Sequence, residues 1–503
     1  MRVAFRVDVN EEIGTGHLHR CRNIARELNS RGHEAALIAG RTVTSKDWDG
    51  QIFVVSDTVV NFTLDQTKTL TPDNQVKADA FSATRILERG KFDLVVVDHY
   101  SLSDQWVQHI QTKTGVPVLV IDDLGRPWSS ASYVLDSAPD ATMKYAMTNN
   151  SHTLLLGPSY VPLHPRYKAV TPRYEIEESV SKVVLFFGGV DAPDATSFVL
   201  SEIVHVLGNA CHATVIVGEQ NRSKSILQSA YESDHVRFVD PADSMFEYLA
   251  EADLTIGAGG TATWERLCLG VPSIAIAISE NQVPGSQLLG HNGCQMFLGR
   301  LADLRQGVVS DALRQLMEDQ KGRYELCING QALVDGFGSS RICEAIFPAP
   351  RSGWTLRPAS GEDCVTYFRW VNDVAVREAS LEPGEITWST HRGWFLDCLT
   401  NRDKVLLVAQ ISELPVGQIR FEKFANGVRL SYSVDSSQRG RGIGRWLVEE
   451  GIRALDGQLG GPIIAEVRKN NEGSARVFQS LGFQSSDQGN GVIVFTLNQS
   501  LIR

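Results

Sequence analysis

A histidine enters a helix directly behind two glycines in Gly14-Thr15-Gly16-His17-Leu18-His19-Arg20-Cys21. Glycines let the backbone turn sharply and approach a ligand, and the free N–H groups of a helix start face an anion. A neutral imidazole accepts a proton near pH 7, so His17 is the candidate that orients or deprotonates a water. Arg6 and Asp8 lie just before this turn, where they could orient that water or form a structural ion pair. Asp98-His99-Tyr100 and Asp122-Asp123 end later apolar runs. In open α/β sheets such strand tips border the ligand cleft, although each acid could instead cap or brace a loop.

A second set of groups follows further on. Gly188-Gly189-Val190-Asp191 ends one apolar run, and Gly257-Ala258-Gly259-Gly260-Thr261-Ala262-Thr263-Trp264-Glu265 joins another to a helix. The second stretch can present N–H groups to a phosphate, with Glu265 placed to accept hydrogen bonds from ribose hydroxyls. Asn281 and Gln282 add amides beyond the next strand. Either glycine cluster alone could be a tight turn; with the acid and amides they point to a nucleotide site.

The third set is Gln438-Arg439-Gly440-Arg441-Gly442-Ile443-Gly444, between the strand ending at Val434 and a helix. Glycines and arginines there suit a pyrophosphate, or a solvated turn. Asn470, Asn471 and Ser474 follow a strand containing Glu466 and open another helix.

The elements that position these groups alternate. Residues 3–7, 35–39, 52–55, 94–97 and 118–121 are short apolar runs without alternation, as in buried parallel strands, and 18–28 carries a helical stripe. The pattern repeats with strands at 183–187, 213–217, 236–239, 254–256 and 273–276. Pro348–Gly353 interrupts it as a linker. Beyond lie a strand at 354–357, helices at 364–371 and 391–399, strands at 405–410, 416–421 and 428–434, a helix at 445–455 and a strand at 463–467. The domains expected are 1–165, 166–347 and 354–503.

With 503 residues, 43% hydrophobic and 21% charged, the chain has ordinary globular composition. A net charge of −11 argues against a general nucleic-acid or anionic-membrane binder. Eight cysteines without a CxxC pair, and a chain opening on a strand rather than a signal peptide, fit a reducing cytoplasm. No apolar run approaches the roughly 20 residues of a membrane span. No HExxH, DxD or Cys/His cluster calls for a metal.

The span 245–282 resembles the donor-binding half of GT-B glycosyltransferases, including the MurG-like group. Together with Arg6-Val7-Asp8, Gly14–His17, Asp98-His99-Tyr100, Asp122-Asp123 and Gly188–Asp191, it resembles the UDP-sugar hydrolases of pseudaminic acid biosynthesis over most of residues 1–345. The resemblance implies two Rossmann-like lobes of GT-B type with the substrate between them. It implies hydrolysis of UDP-2,4-diacetamido-2,4,6-trideoxy-β-L-altropyranose, UDP being held mainly by the second lobe. Residues 354–497 resemble GNAT N-acetyltransferases: the R-x-x-G-x-G spacing looks like their acetyl-CoA pyrophosphate loop, and Asn470 or Asn471 with Ser474 would lie near the CoA arm. The implied acceptor is the preceding UDP-4-amino-sugar. Where many of these enzymes carry a proton-donating Tyr, this chain has Phe478, which leaves Glu466 and Tyr432 as strand-borne candidates. A glycosyltransferase fused to an acetyltransferase, and a nucleotide-sugar-binding protein without turnover, are the competing readings. Oligomeric state is left open.

Overall fold

The computed structural model describes residues 1–8, 16–39, 48–55, 72–146, 152–208, 211–218, 220–240, 245–455 and 458–498. Gly14, expected at the substrate, lies outside them. The chain divides into two compact units, Met1–Ile346 and Phe347–Arg503.

The first unit holds two parallel sheets. One runs β3-β2-β1-β4-β5-β6-β7, with β1 Arg2–Val7, β2 Glu34–Ala39, β3 Gln51–Val54, β4 Leu94–Asp98, β5 Val118–Ile121, β6 Tyr133–Asp136 and β7 Thr153–Leu156. The other runs β10-β9-β8-β11-β12-β13, with β8 Lys182–Phe186, β9 His212–Ile216, β10 Val236–Val239, β11 Leu254–Ala258, β12 Ser273–Ala277 and β13 Met296–Arg300. Strands β4, β5, β11 and β12 are buried at every position, because helices cover both faces of a parallel sheet. In each sheet the strand order reverses beside the first strand, at β1/β4 and at β8/β11. That reversal opens a crevice at the strands' carboxyl ends. Val7 pairs with Asp98 at the first and Phe186 with Gly257 at the second, so the singled-out residues sit at the two switch points.

The helix Gly338–Ile346, last in this unit, returns to the first lobe and packs on the helix Gly16–Ser30. Ser340 donates to Glu27 at 2.9 Å, Arg31 lies 2.9 Å from Glu27 and 3.3 Å from Glu344, and Lys168 pairs with Glu27. Glu27 and Glu344 are buried. Burial would raise the Glu27 carboxyl, but Lys168, Arg31 and Ser340 hold it below its usual range.

The second unit is one seven-stranded sheet, β14-β15-β16-β17-β18-β20-β19. The strands are β14 Trp354–Pro358, β15 Lys404–Ile411, β16 Leu414–Phe424, β17 Gly427–Val434, β18 Ile463–Arg468, β19 Gln484–Asp487 and β20 Val492–Leu497. Neighbours pair antiparallel except β17 and β18, which are parallel and meet only at Val428↔Ile463 and Arg429↔Ile464. Beyond those pairs the two strands splay, leaving a gap flanked by Tyr432–Val434 and Glu466–Arg468. The helix Ile443–Leu455 packs under this sheet, with Gly451 seated against Ile419 and Phe421.

Candidate functional site

His17 stands in the first turn of its helix, and β4 delivers Asp98 beneath it. Nδ1 lies 2.5 Å from Asp98 Oδ1, and the Tyr100 ring meets the imidazole edge-on at 4.6 Å. A carboxylate only accepts, so Nδ1 carries the ring proton and Nε2 keeps a lone pair. Nε2 has no hydrogen-bond partner among the described residues. Arg20, one helical turn on, donates to both Asp98 oxygens at 2.5 and 2.6 Å and to Asp123 at 2.7 and 2.9 Å. Burial would raise the Asp98 carboxyl, yet the charge and hydrogen bonds of Arg20, with His17, hold it at about 2.

Beside this dyad, Arg6 forks onto Asp8 at 2.6 and 2.8 Å and reaches Asp79 at 2.6 Å. The indole of Trp106 donates to Asp79 at 2.8 Å. The backbone N–H of Ser101 donates to His99 Nδ1 at 3.1 Å, which places the His99 proton on Nε2, donated to Asp8 at 3.0 Å. Arg6 is buried and fully engaged with carboxylates, so it frames the site through Asp8. Asp122 is likewise occupied, accepting from Arg126 at 2.6 Å and Tyr145 at 2.8 Å.

In the second lobe the chain leaves β11 through Gly259, Gly260 and Thr261 into the helix Ala262–Cys268. Gly259 is forced by packing: a Cβ there would sit 2.1 Å from Ser286 Oγ. Thr261 is exposed, and its side chain does not cap the helix. It faces the first lobe, its Oγ1 lying 3.6 Å from where Gly16 would carry a Cβ. Glu265 lies beside Tyr167, and burial pushes its carboxyl up to about 7 against that hydrogen bond and the charge of Arg266. Gln282 accepts from the Ile278 N–H at 3.0 Å, and its amide nitrogen lies 3.6 Å from the Cβ position of Gly260. Asn281 accepts from Ser279 at 2.6 Å.

The loop after β8 approaches the loop after β9 closely: a Cβ on Gly218 would lie 2.1 Å from the Gly189 carbonyl. Gly188 has φ of 104°, and open space surrounds the Cβ positions of both Gly188 and Gly189. Asp191 differs from the expected ligand-binding acid. It is buried, and its oxygens accept from the N–H groups of Ala195 and Thr196, each at 2.9 Å, and from the Thr196 hydroxyl at 2.6 Å. Those bonds satisfy the orphan donors of the helix Ala195–Leu207, so it shapes the loop from behind.

In the second unit Gly440 and Gly442 have φ of 80° and 82°, and nothing lies within 4 Å of a Cβ on Gly440. The loop runs into the helix that opens at Ile443. Arg439 donates to the Val434 carbonyl at 3.2 Å and to Asp373 at 2.5 Å, and Arg441 bonds Gln438, so both arginines brace the loop. A Cβ on Gly444 would lie 3.1 Å from the Tyr432 ring. Tyr432 OH donates to Ser474 at 3.2 Å, and burial raises its pKa against that bond. Asn471 caps the helix Glu472–Ser480 through the Ser474 N–H at 3.1 Å, while Asn470 is exposed. Phe478 is buried against Phe483, Phe495 and Tyr432, a setting with no place for a hydroxyl. Tyr432 shares the face of the helices beginning at Ile443 and Glu472. Glu466 lies on the other, where it is exposed and 3.6 Å from Arg429. The register of β17 and β18 sets this, since side chains alternate from face to face.

The sequence reading assigned no role to Arg20 or Asp79. The three-residue step from His17 to Arg20 puts both on one helix face, the one local sign of that partnership. Among the described residues no group of His, Cys, Asp and Glu is arranged to hold a metal, and no helix is long and apolar enough to cross a membrane.

Residues 183–326 match the glycosyltransferase family 28 C-terminal domain, and residues 354–484 match the acetyltransferase (GNAT) domain. The chain is a GT-B-like domain fused to a GNAT acetyltransferase domain. Two Rossmann-like lobes precede the separate α/β domain, whose open glycine loop and strand splay are consistent with acetyl-CoA binding. Protein MJ1062 of Methanocaldococcus jannaschii is 20% identical over 97% of this chain and 98% of its own length. The spore coat polysaccharide biosynthesis protein SpsG of Bacillus subtilis is 20% identical over 51% of this chain and 77% of its own. Among solved structures, MurG of Acinetobacter baumannii is similar with a TM-score of 0.49 at 15% identity, over 69% of this chain and 99% of that one.

Proposed function

We propose that the first unit breaks the bond between the diphosphate of a UDP-sugar and the anomeric carbon, and that the second acetylates an amine from acetyl-CoA. The observation carrying the first half is His17, with Nδ1 committed to Asp98 and a lone pair on Nε2, at the edge that faces Thr261. His17 takes the proton of the incoming nucleophile while the C–O bond to UDP breaks. Asp98 stabilises the imidazolium, and the Gly259–Thr261 turn meets the departing phosphate. Glu265 and Gln282 hold the nucleoside end. Arg6, Asp8, His99 and Tyr100 shape the sugar side.

The glycosyltransferase family 28 match favours a sugar hydroxyl as the nucleophile. A second reading takes water as the nucleophile and UDP-2,4-diacetamido-2,4,6-trideoxy-β-L-altropyranose as the substrate. It is supported by the strand-tip motifs Arg6-Val7-Asp8 and Asp98-His99-Tyr100, which resemble the pseudaminic acid hydrolases.

In the second unit Glu466 takes the proton of the attacking amine, directly or through a water, as nitrogen bonds to the thioester carbon. Tyr432, held by Ser474, returns a proton to sulfur as the C–S bond breaks, in place of the tyrosine that Phe478 replaces. The products are an amide and the free thiol. The Gly440–Gly444 turn and the helix behind it would receive the pyrophosphate.

The test is to follow UDP release from that diacetamido UDP-sugar with no acceptor sugar present. Release at a catalytic rate, with one free sugar per UDP, establishes hydrolysis. Release only when an acceptor sugar is added establishes glycosyl transfer. No release in either case overturns the nucleotide-sugar reading.

A further inference from the structure

The sheet face carrying Glu466 also holds a cation that the acetyl-transfer chemistry leaves unused. Register sets Gln418 opposite Ser433, Arg420 opposite Ser431, and Glu422 opposite Arg429, all on this face. The Arg420 guanidinium lies 4.9 Å over the Trp394 ring and donates no hydrogen bond to any described residue. Glu422 stands near but lies 3.6 Å from Lys404, and Glu466, on the same face, lies 3.6 Å from Arg429. Burial pulls the Arg420 pKa down, against the opposing pull of Glu422. Two positions along the same strand, Gln418 Oε1 is buried without a partner while its amide donates to Ser433 at 3.2 Å.

A guanidinium offers five donors in a planar fork, and leaving it desolvated and unpaired is costly unless a ligand completes it. Phosphate oxygens match that fork two at a time, and the indole beneath fixes the plane of the fork. Arg429 is exposed on the same face, two strand positions from Ser431, the cross-strand neighbour of Arg420. Gln418 Oε1 remains to accept from a donor on the same ligand.

We infer that Arg420, seated on Trp394 and seconded by Arg429, binds the diphosphate of the acetyl acceptor, so that the acetyltransferase selects a nucleotide-linked amine over the free amino sugar. The inference rests on the proposed acetylation of an amine and takes as that amine the UDP-4-amino-sugar that the resemblance implies. It adds where the charge of that acceptor lands, on the face where Glu466 awaits the amine. With the leaving thiol on the Tyr432 face, nucleophile and leaving group approach the splay from opposite sides.

Binding of labelled inorganic pyrophosphate is measured by equilibrium dialysis on the full chain saturated with CoA, which fills the Gly440–Gly444 loop. Wild type should bind one equivalent more than R420Q, with R420K intermediate because an ammonium cannot fork. Identical isotherms for wild type and a folded R420Q overturn the proposal; if R420Q does not fold, R420K binding as wild type does overturns it. Acetyl transfer is then followed as thiol release. R420Q should raise KM for the UDP-4-amino-sugar at least tenfold more than KM for the free amino sugar, with KM for acetyl-CoA unchanged. An equal loss with both amines also overturns it. If wild type binds the extra pyrophosphate but acetylates neither amine, the substrate reading fails while the Arg420 site stands.

Discussion

Thr261 Oγ1 lies 3.6 Å from the point where Gly16 would carry a Cβ atom, which brings the histidine turn of one lobe against the glycine loop of the other. A methyl fits at that distance and a longer side chain does not. Gly16→Ala should therefore keep near-normal activity, whereas Gly16→Leu should close the space in front of His17. The expected result is at least a tenfold loss of kcat/KM for UDP release in Gly16→Leu. Its melting temperature should stay close to that of Gly16→Ala, since both substitutions meet the same backbone.

Loss of the base tests the dyad itself. His17→Ala should slow UDP release by about 10²–10⁴-fold, the usual worth of a positioned acid–base group. Asp98→Asn should fall in the same range by another route. An amide donating to Nδ1 would move the ring proton to Nε2 and remove the lone pair. The folded Asp98 carboxyl, held at about 2 against an ordinary 3.8, lends stability that is complete above 3.8 and lost as pH falls through 2. The stability advantage of wild type over Asp98→Asn should thus shrink as pH falls from 3.8 to 2, as urea titrations would show.

Glu265 titrates in the opposite sense. Burial raises its carboxyl from 4.5 to about 7, so the free protein keeps the proton near neutrality. Stability from this group is complete below 4.5 and lost as pH rises through 7. Ribose hydroxyls donate to the ionised form, so binding must expel that proton. Uridine, which has no phosphate to titrate, should bind best above pH 7, weakening by up to about tenfold per unit below it. Calorimetry between pH 5.5 and 8.5 should show proton release on binding in wild type. In Glu265→Gln both the release and the pH dependence should vanish.

Much of this architecture is legible from the order of residues because parallel strands buried on both faces are written as unbroken apolar runs. Val118–Ile121 lies where such a run predicts, and Leu94–Asp98 within one residue of it. Strand β13 escapes because all its residues are half-buried and it contains Gly299 and Arg300, and β19 because Gln484–Asp487 is polar and exposed throughout. The site divides similarly. His17, Asp98 and Asp8 stand out as reactive types at strand tips or helix starts. The grip of Arg20 on Asp98 spans 78 positions and that of Arg6 on Asp79 spans 73, which no local pattern reports. Asp191 reads as a ligand-facing acid by its place after a glycine pair, and only the fold reveals that the next helix consumes both its oxygens. Glu466 and Tyr432, two strand residues offered as alternatives, fall on opposite faces through a register that the sequence does not state.

That separation of faces gives the last prediction. Were Tyr432 the acid for the thiolate and Glu466 the base for the amine, their loss should leave different signatures. Tyr432 stays protonated across the working range because burial raises its pKa. Tyr432→Phe should therefore lower kcat for acetyl transfer by about 10²-fold or more at every pH, with KM for acetyl-CoA unchanged. Glu466→Gln should instead be rescued at high pH, where the amine loses its own proton to water. Ser474→Ala, which removes the partner at 3.2 Å, should cost less than Tyr432→Phe and keep its flat pH profile. Steady-state thiol release between pH 6 and 9.5 separates the cases, and a Tyr432→Phe enzyme with wild-type kcat would remove the tyrosine from the reaction.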